Sequence, residues 1–406
     1  MKFRIPRFAV CVFGVLFLLT ICFDFSCGQN IVGLSSTKFT ANPVTLTEMD
    51  FSEFFYFTPE LRSPSDQPEN QRVVRKLEAH VVEFLAGHPW MPFHHTLGIS
   101  GYESYFNHPN EMFYVLGIAL PFLSHGTAEK VKRVLADQLQ QAPPYALDGF
   151  EHRSGNARES YQVPSTLRLA GRGRANSAYG VYVFWSYCHY AGDSVAARSH
   201  WNAIKARMKL LLEDDYPFDI NKKDYPNDEA EKLNGDLAGL LGLFRLARIN
   251  DDDAAAKQAE ARARQLLELR VNLERVNPKI LQKTRSATKQ LHNFKLPRYC
   301  DLVPEIGEAL RKLSAGCGAG HLKAFREERN GWHLAFGDRM IGGENYTNPL
   351  HFPRSLFAGV VFVEQLPADQ ILAFIDVPWC KGDFYFMEQC AYALWASAGR
   401  PWQKVL

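Results

Sequence analysis

Cysteine is scarce and unpatterned in this chain. The eight residues are Cys11, Cys22, Cys27, Cys188, Cys300, Cys317, Cys380 and Cys390, and no two of them have CxxC spacing. That argues against a cysteine zinc site and against a thioredoxin-like redox motif. An excess of charge of one sign is also missing, with 46 Lys and Arg against 44 Asp and Glu. Without a basic surplus there is no electrostatic footprint for nucleic acid. No set of ligand-type residues has spacing specific enough to name an ion, so neither a metal nor any other cofactor is expected.

What is present begins with the N-terminus. Lys2, Arg4 and Arg7 precede an apolar run from Phe8 to Cys22, and the small residues Ser26 and Gly28 close the segment. Basic end, apolar core and small residues before a cut is the order of a secretory signal, with cleavage expected before Gln29. The run is short beside the roughly 20 residues of a comfortable membrane span, so a retained anchor through residues 8–22 is the lesser alternative. The location implied is secreted or extracytoplasmic, with membrane contact only if the segment stays. Removing residues 1–28 leaves 378 residues carrying 43 basic and 43 acidic side chains. Five cysteines then remain, an odd number that leaves at least one thiol unbridged, while Cys300 with Cys317 or Cys380 with Cys390 are conceivable pairs.

Residues 29–67 are rich in Ser, Thr and Pro and read as an extended lead-in over a helical body. From Pro68 the pattern changes to helical couplets. An amphipathic stretch at 69–85 precedes the apolar segment Glu111 to Leu123, and Val131, Val134, Leu135 and Leu139 then recur at helical spacing among charges. Ala178 to Tyr190 reads AYGVYVFWSYCHY and leads through Ala191-Gly192-Asp193 into a charged amphipathic stretch. Asp236 to Leu246 reads DLAGLLGLFRL and leads through Asn250-Asp251-Asp252 into another. Segments 356–366 and 384–397 repeat the apolar half of the couplet near the C-terminus. A helix apolar all round must be buried, whereas one with a single apolar stripe lies outside, so alternation of the two predicts concentric layers. The turns from inner to outer helix are short and carry Gly, Asn or Asp. The return connections are long, and if every inner helix runs the same way they gather at one end.

Two layers of alternating helices closing into a ring of about six hairpins resemble the α/α-toroid, with an open solenoid as the structural alternative. The phrase Tyr179 to Asp193, YGVYVFWSYCHYAGD, followed by an amphipathic helix, resembles the inner helix and Gly-Asp turn of toroidal glycoside hydrolases and polysaccharide lyases. The resemblance covers residues 68–406, is to a pattern, and matches no family-specific catalytic signature. It implies an all-α domain acting on carbohydrate.

Long connections inside a compact domain are usually functional, so the chemistry is expected there. Residues 88–111 bring Tyr102, Glu103, Tyr105, His108 and Glu111, together with His94 and His95. Aromatic rings stack on the apolar faces of sugars while carboxylates bond their hydroxyls; the structural alternative is helix capping by His108-Pro109 and Glu111. Residues 149–162 bring Glu151, His152, Arg153, Arg158, Glu159 and Tyr161. Residues 330–355 bring Asp338, Arg339, Glu344, Tyr346, His351 and Arg354 around Gly342-Gly343, and Asn345-Tyr346-Thr347 fits a glycosylation acceptor. An inverting hydrolase needs a protonated acid and a second carboxylate about 6.5–9.5 Å apart, which Glu103, Glu151, Asp338 and Glu344 would supply. A lyase needs a Tyr or His base and a cation for the uronate, drawn from Tyr102, His152, Tyr346, His351, Arg339 and Arg354. A non-catalytic glycan-binding or scaffold protein stands as a third reading, since fold alone does not imply activity. Asp251-Asp252-Asp253 sits in a short turn and is expected to cap a helix, the basic stretch from Arg262 to Arg298 to form a solvated outer face, and Glu388 to be a partly buried acid. Hydrolysis of carbohydrate is the leading expectation, with no nucleic-acid partner and an oligomeric state left open.

Overall fold

The computed structural model describes residues 44–62, 66–86, 109–141, 143–146, 172–213, 226–276, 303–313 and 384–405. Residues 1–40 and 41–406 form two units, and every described residue belongs to the second. Its elements are α1 Glu48–Tyr56, β1 Phe57–Pro59, α2 Pro68–Leu85, α3 Pro109–Ala119, α4 His125–Gln141, α5 Arg172–Ala191 and α6 Ser194–Ser199. They continue with α7 Trp201–Glu213, α8 Pro226–Ile249, α9 Asp253–Val276, α10 Pro304–Leu313, α11 Phe384–Ser397 and β2 Trp402–Lys404. The protein is all-α in class, the two short strands forming a single antiparallel ladder, Phe57↔Lys404 to Pro59↔Trp402.

The layering follows from the side chains. Every residue from Phe113 to Leu120, from Ala178 to Cys188 and from Leu233 to Ala247 is buried, so α3, α5 and α8 are enclosed on all sides. The amphipathic α2, α4, α7 and α9 bury one stripe each, as Val73, Leu77 and Val81 do on α2. Among the inner helices α8 packs on α5, α5 on α3, and α3 on α11, so the last apolar helix lies beside the first.

Glycine sets how closely α5 and α8 meet. A Cβ at Gly239 would stand 2.4 Å from the carbonyl oxygen of Ala178, and one at Gly242 would stand 2.6 Å from the Cα of Tyr182. Both numbers rise together along the two helices, so α5 and α8 run parallel. Helix α3 runs the same way, because Tyr114 meets the rings of Tyr179 and Tyr182 while Gly117 approaches the backbone of Tyr187.

Three inner helices end alike. At the end of α5, Asp193 N–H donates to Cys188 C=O at 2.9 Å and Gly192 N–H to His189 C=O at 3.3 Å. Asp252 and Asp251 repeat the pair on Ala247 and Arg248 after α8, and Arg400 and Gly399 repeat it on Trp395 and Ala396 after α11. This double bond is the Schellman stop, which needs one residue at positive φ. Gly192 (φ 71°), Gly399 (φ 84°) and, unusually for a non-glycine, Asp251 (φ 54°) supply it. The next residue then starts the outer helix: Asp193 Oδ1 accepts from Ala196 N–H at 2.9 Å, and Asp252 Oδ1 from Ala255 N–H at 3.0 Å. Asp251 to Asp253 is thus a stop and a cap, as its position in the turn predicts.

Two expectations change. The lead-in is not extended throughout: Thr47 and Asp50 form a capping box that starts α1, whose Phe55 is buried 4.7 Å from the ring of Phe244 on α8. The preceding Val44 is held from both sides by the Asn272 amide, at 2.8 Å and 2.9 Å. The outer face of α9 is also not uniformly solvated, since Arg270 is fully buried and donates to Asn234 Oδ1 at 2.8 Å. The expected inner segment 356–366 lies outside the described residues.

Candidate functional site

The charges buried by the inner helices mark where the fold departs from a plain apolar core. Arg245 interrupts the apolar run of α8 and is wholly enclosed. Its Nη1 meets Glu305 Oε1 at 2.7 Å, its Nε donates to Phe55 C=O at 3.1 Å and its Nη2 to Phe57 C=O at 2.8 Å. Glu305, at the start of α10, accepts in addition from Thr58 Oγ1 and Tyr182 Oη, each at 2.9 Å. Every guanidinium nitrogen and both carboxylate oxygens of the ion pair therefore have a hydrogen-bond partner, the condition under which a buried pair can be tolerated. The guanidinium also lies 4.1 Å from the centre of the Trp185 ring, and His189 stacks on that indole at 5.2 Å. Burial, helped by the Arg245 charge, holds the His189 imidazole down to about 4.

Beside this pair lies a tyrosine cluster built by three inner helices. Tyr114 of α3 bonds the hydroxyl of Tyr392 on α11, and its ring contacts those of Tyr179 and Tyr182 on α5. Tyr179 and Tyr182 stack on each other at 6.4 Å. Glu388, one turn before Tyr392 on α11, is buried close to Tyr114 and Tyr392. Asp236, in the N-terminal half of α8, is buried as well. Burial pushes the phenols of Tyr114, Tyr182 and Tyr392 well up; the carboxylates of Glu388 and Glu305 act in the same direction on Tyr114. Tyr182 donates its hydroxyl to Glu305, and Tyr114 and Tyr392 share one hydrogen bond between their hydroxyls.

The residues singled out from the sequence lie elsewhere in the chain. Glu103, Glu151, Asp338, Glu344, Tyr346 and His351, and with them Tyr102, Tyr105, His108, His152, Arg153, Arg339 and Arg354, fall outside the described residues. So do Asn345, Cys300, Cys317 and Cys380. Because α3, α5 and α8 run parallel, the N-termini of these three helices lie at one common end. Glu388, expected to be partly buried, is 6 % exposed.

Tyr114, Tyr182, Tyr392, Arg245, Glu305 and Asp236 are absent from the sequence-based site. For Arg245 the signal was a charged residue inside an otherwise apolar helix, which must find a partner when that helix is enclosed; the tyrosines and Glu305 carried no such signal. Arg245 in DLAGLLGLFRL and Glu388 in FYFMEQCAYALW carry that signal.

Among the described residues no group of His, Cys, Asp and Glu is arranged to hold a metal ion, and no helix is long and apolar enough to cross a membrane. No protein family, curated protein or solved structure matches the chain.

Proposed function

We propose that the chain is an exported carbohydrate-active enzyme on an α/α-toroid, and that it cleaves glycosidic bonds by hydrolysis with paired carboxylates. The observation that carries this reading is the arrangement of the inner helices. They are enclosed, α3, α5 and α8 are parallel, and α11 comes back beside α3, the neighbour relation that ring closure requires. A closed ring of parallel inner helices puts their N-termini, and the connections that feed them, around one mouth. Glu103 and Glu151 precede α3 and α5, while Asp338 and Glu344 precede α11 in the chain. Their supply of carboxylates is what an inverting pair draws on.

β-Elimination, with a base drawn from Tyr102, His152, Tyr346 or His351, is the alternative reading. The experiment is digestion of a panel of neutral and uronate-containing polysaccharides by the chain starting at Gln29. Reducing ends should appear without unsaturated-uronate absorbance. Absorbance appearing with them would establish elimination, and silence across the panel with binding retained would establish a glycan-binding protein instead.

A further inference from the structure

Glu305 also lines a cleft of about 240 Å³ between α1, α10 and the two strands. Its apolar wall includes Phe57, Leu313 and Trp402, and its polar wall Glu53, Glu308 and Lys312. The mouth is wet, since the side chains of Glu53 and Lys312 keep 47 % and 40 % of their surface exposed. Trp402 is partly exposed on β2, packs at a right angle on Trp395 (5.5 Å between centroids), and its indole N–H has no partner among the described residues.

Three of the four carboxylates that line this cleft, Glu53, Glu305 and Glu308, are paired with cations. Glu305, at the back, is occupied by Arg245, Thr58 and Tyr182. Glu308 pairs with Arg311 at 2.6 Å and lies 3.6 Å from Lys312 and 3.9 Å from Arg400. Lys312 closes on Glu53, and Asp50 is engaged by the Thr47 amide and hydroxyl at 2.8 Å and 2.7 Å. An anionic ligand would have to break one of these pairs and strand a carboxylate. A neutral ligand need not, because a carboxylate in an ion pair still has lone pairs to accept hydroxyl protons and the ammonium has three donors to share. The volume falls below the roughly 300–1,000 Å³ of pockets that hold drug-sized molecules, so it suits one ring with the rest of a chain running out of the mouth. Aromatic surface beside balanced hydrogen-bonding groups matches an object with one C–H face and a rim of hydroxyls.

We propose that this cleft is a second carbohydrate subsite, which binds one ring of a neutral glycan against Trp402 with its hydroxyls directed to Glu53, Glu308 and Lys312. The assignment of a sugar over another neutral, hydroxylated ligand rests on the carbohydrate reading above. The subsite is distinct from the tyrosine cluster: Glu305 lines the cleft, whereas Tyr182, which donates to it, is not among the described lining residues.

The test measures binding of gluco-, xylo- and manno-hexasaccharides by calorimetry, with choline and an oligogalacturonate as charged comparators. Two variants are compared with the wild type: Trp402→Ala, and the double substitution Glu53→Gln with Lys312→Gln, which alters only exposed side chains and so preserves the fold. Wild type is expected to bind at least one neutral hexasaccharide and neither comparator, and each variant to weaken that binding about tenfold or more. Equal binding by wild type and both variants, tighter binding of a comparator, or no binding of any neutral hexasaccharide overturns the subsite. Reducing-end release from polysaccharide, followed in the same preparations, separates the two ideas. Release without variant-sensitive binding retains the enzyme and removes the subsite, whereas variant-sensitive binding without release does the reverse.

Discussion

Gly242→Ala tests how the inner layer is assembled. The added methyl would meet the Cα and the amide nitrogen of Tyr182 at 2.6 Å and the carbonyl carbon of Val181 at 2.8 Å. Carbon atoms in comfortable contact sit about 3.5–4.0 Å apart, so the gap must widen by about 1 Å. The obstructing atoms are backbone in the middle of an enclosed helix, and no side chain can swing aside. Overpacking of this kind costs about 1–3 kcal/mol, and the rigid neighbour places this case at the upper end. Alanine returns about 0.5–1 kcal/mol through its better helix propensity, leaving a net loss of about 2 kcal/mol. Urea denaturation followed by far-ultraviolet circular dichroism would register it as a lower midpoint at unchanged slope. Gly126→Ala is the control, since a Cβ there has nothing within 4 Å, and it should leave the midpoint unchanged or raise it slightly. A Gly242→Ala midpoint at or above wild type would refute the close parallel packing of α5 and α8.

Other consequences are equally measurable. Arg245→Met should cost about 3–5 kcal/mol because it strands the buried Glu305 carboxylate. Combining it with Glu305→Leu should cost clearly less than the two single losses added together, and strict additivity in the double-mutant cycle would contradict the pairing. His189 is held down to about 4 against an ordinary 6.5, so between those values the unfolded chain binds the proton more readily than the folded one. Its contribution is intact above about pH 6.5 and lost as pH falls toward 4, by about 3 kcal/mol in all. Melting temperatures of wild type and His189→Gln should converge as pH falls through that window, and parallel curves would show that His189 titrates normally. Asp251→Gly relieves a non-glycine residue at φ 54° and should stabilise the fold by about 1 kcal/mol, read as a rise in melting temperature; a fall would mean the carboxylate matters more than the backbone.

The inner helices were legible because burial on all sides leaves a one-dimensional trace. Ala178 to Tyr190 and Asp236 to Leu246 have almost no polar face, and the turns after them carry the Gly and Asp that a Schellman stop and an N-cap need. Helix α1 had a trace as well, the Thr47-x-x-Asp50 box, but its short length and the surrounding Ser, Thr and Pro hid it. The Arg245–Glu305 pair was not legible, since its partners are 60 residues apart and Glu305 sits in an ordinary amphipathic segment. The same holds for the cleft at Trp402, which exists only because β2 returns to pair with β1. A local reading finds elements and their ends; juxtapositions made by the closing of the chain on itself need the fold.

The central claim, hydrolysis of carbohydrate by paired acids, is tested most directly by reducing-end release from the polysaccharide panel. The assay compares the wild-type chain with Glu103→Gln, Glu151→Gln, Asp338→Asn and Glu344→Gln. The account predicts release by wild type without unsaturated-uronate absorbance, and near-complete loss in two of the four variants with the other two active. Wild-type levels of release in all four variants, or no release from any polysaccharide, would contradict it.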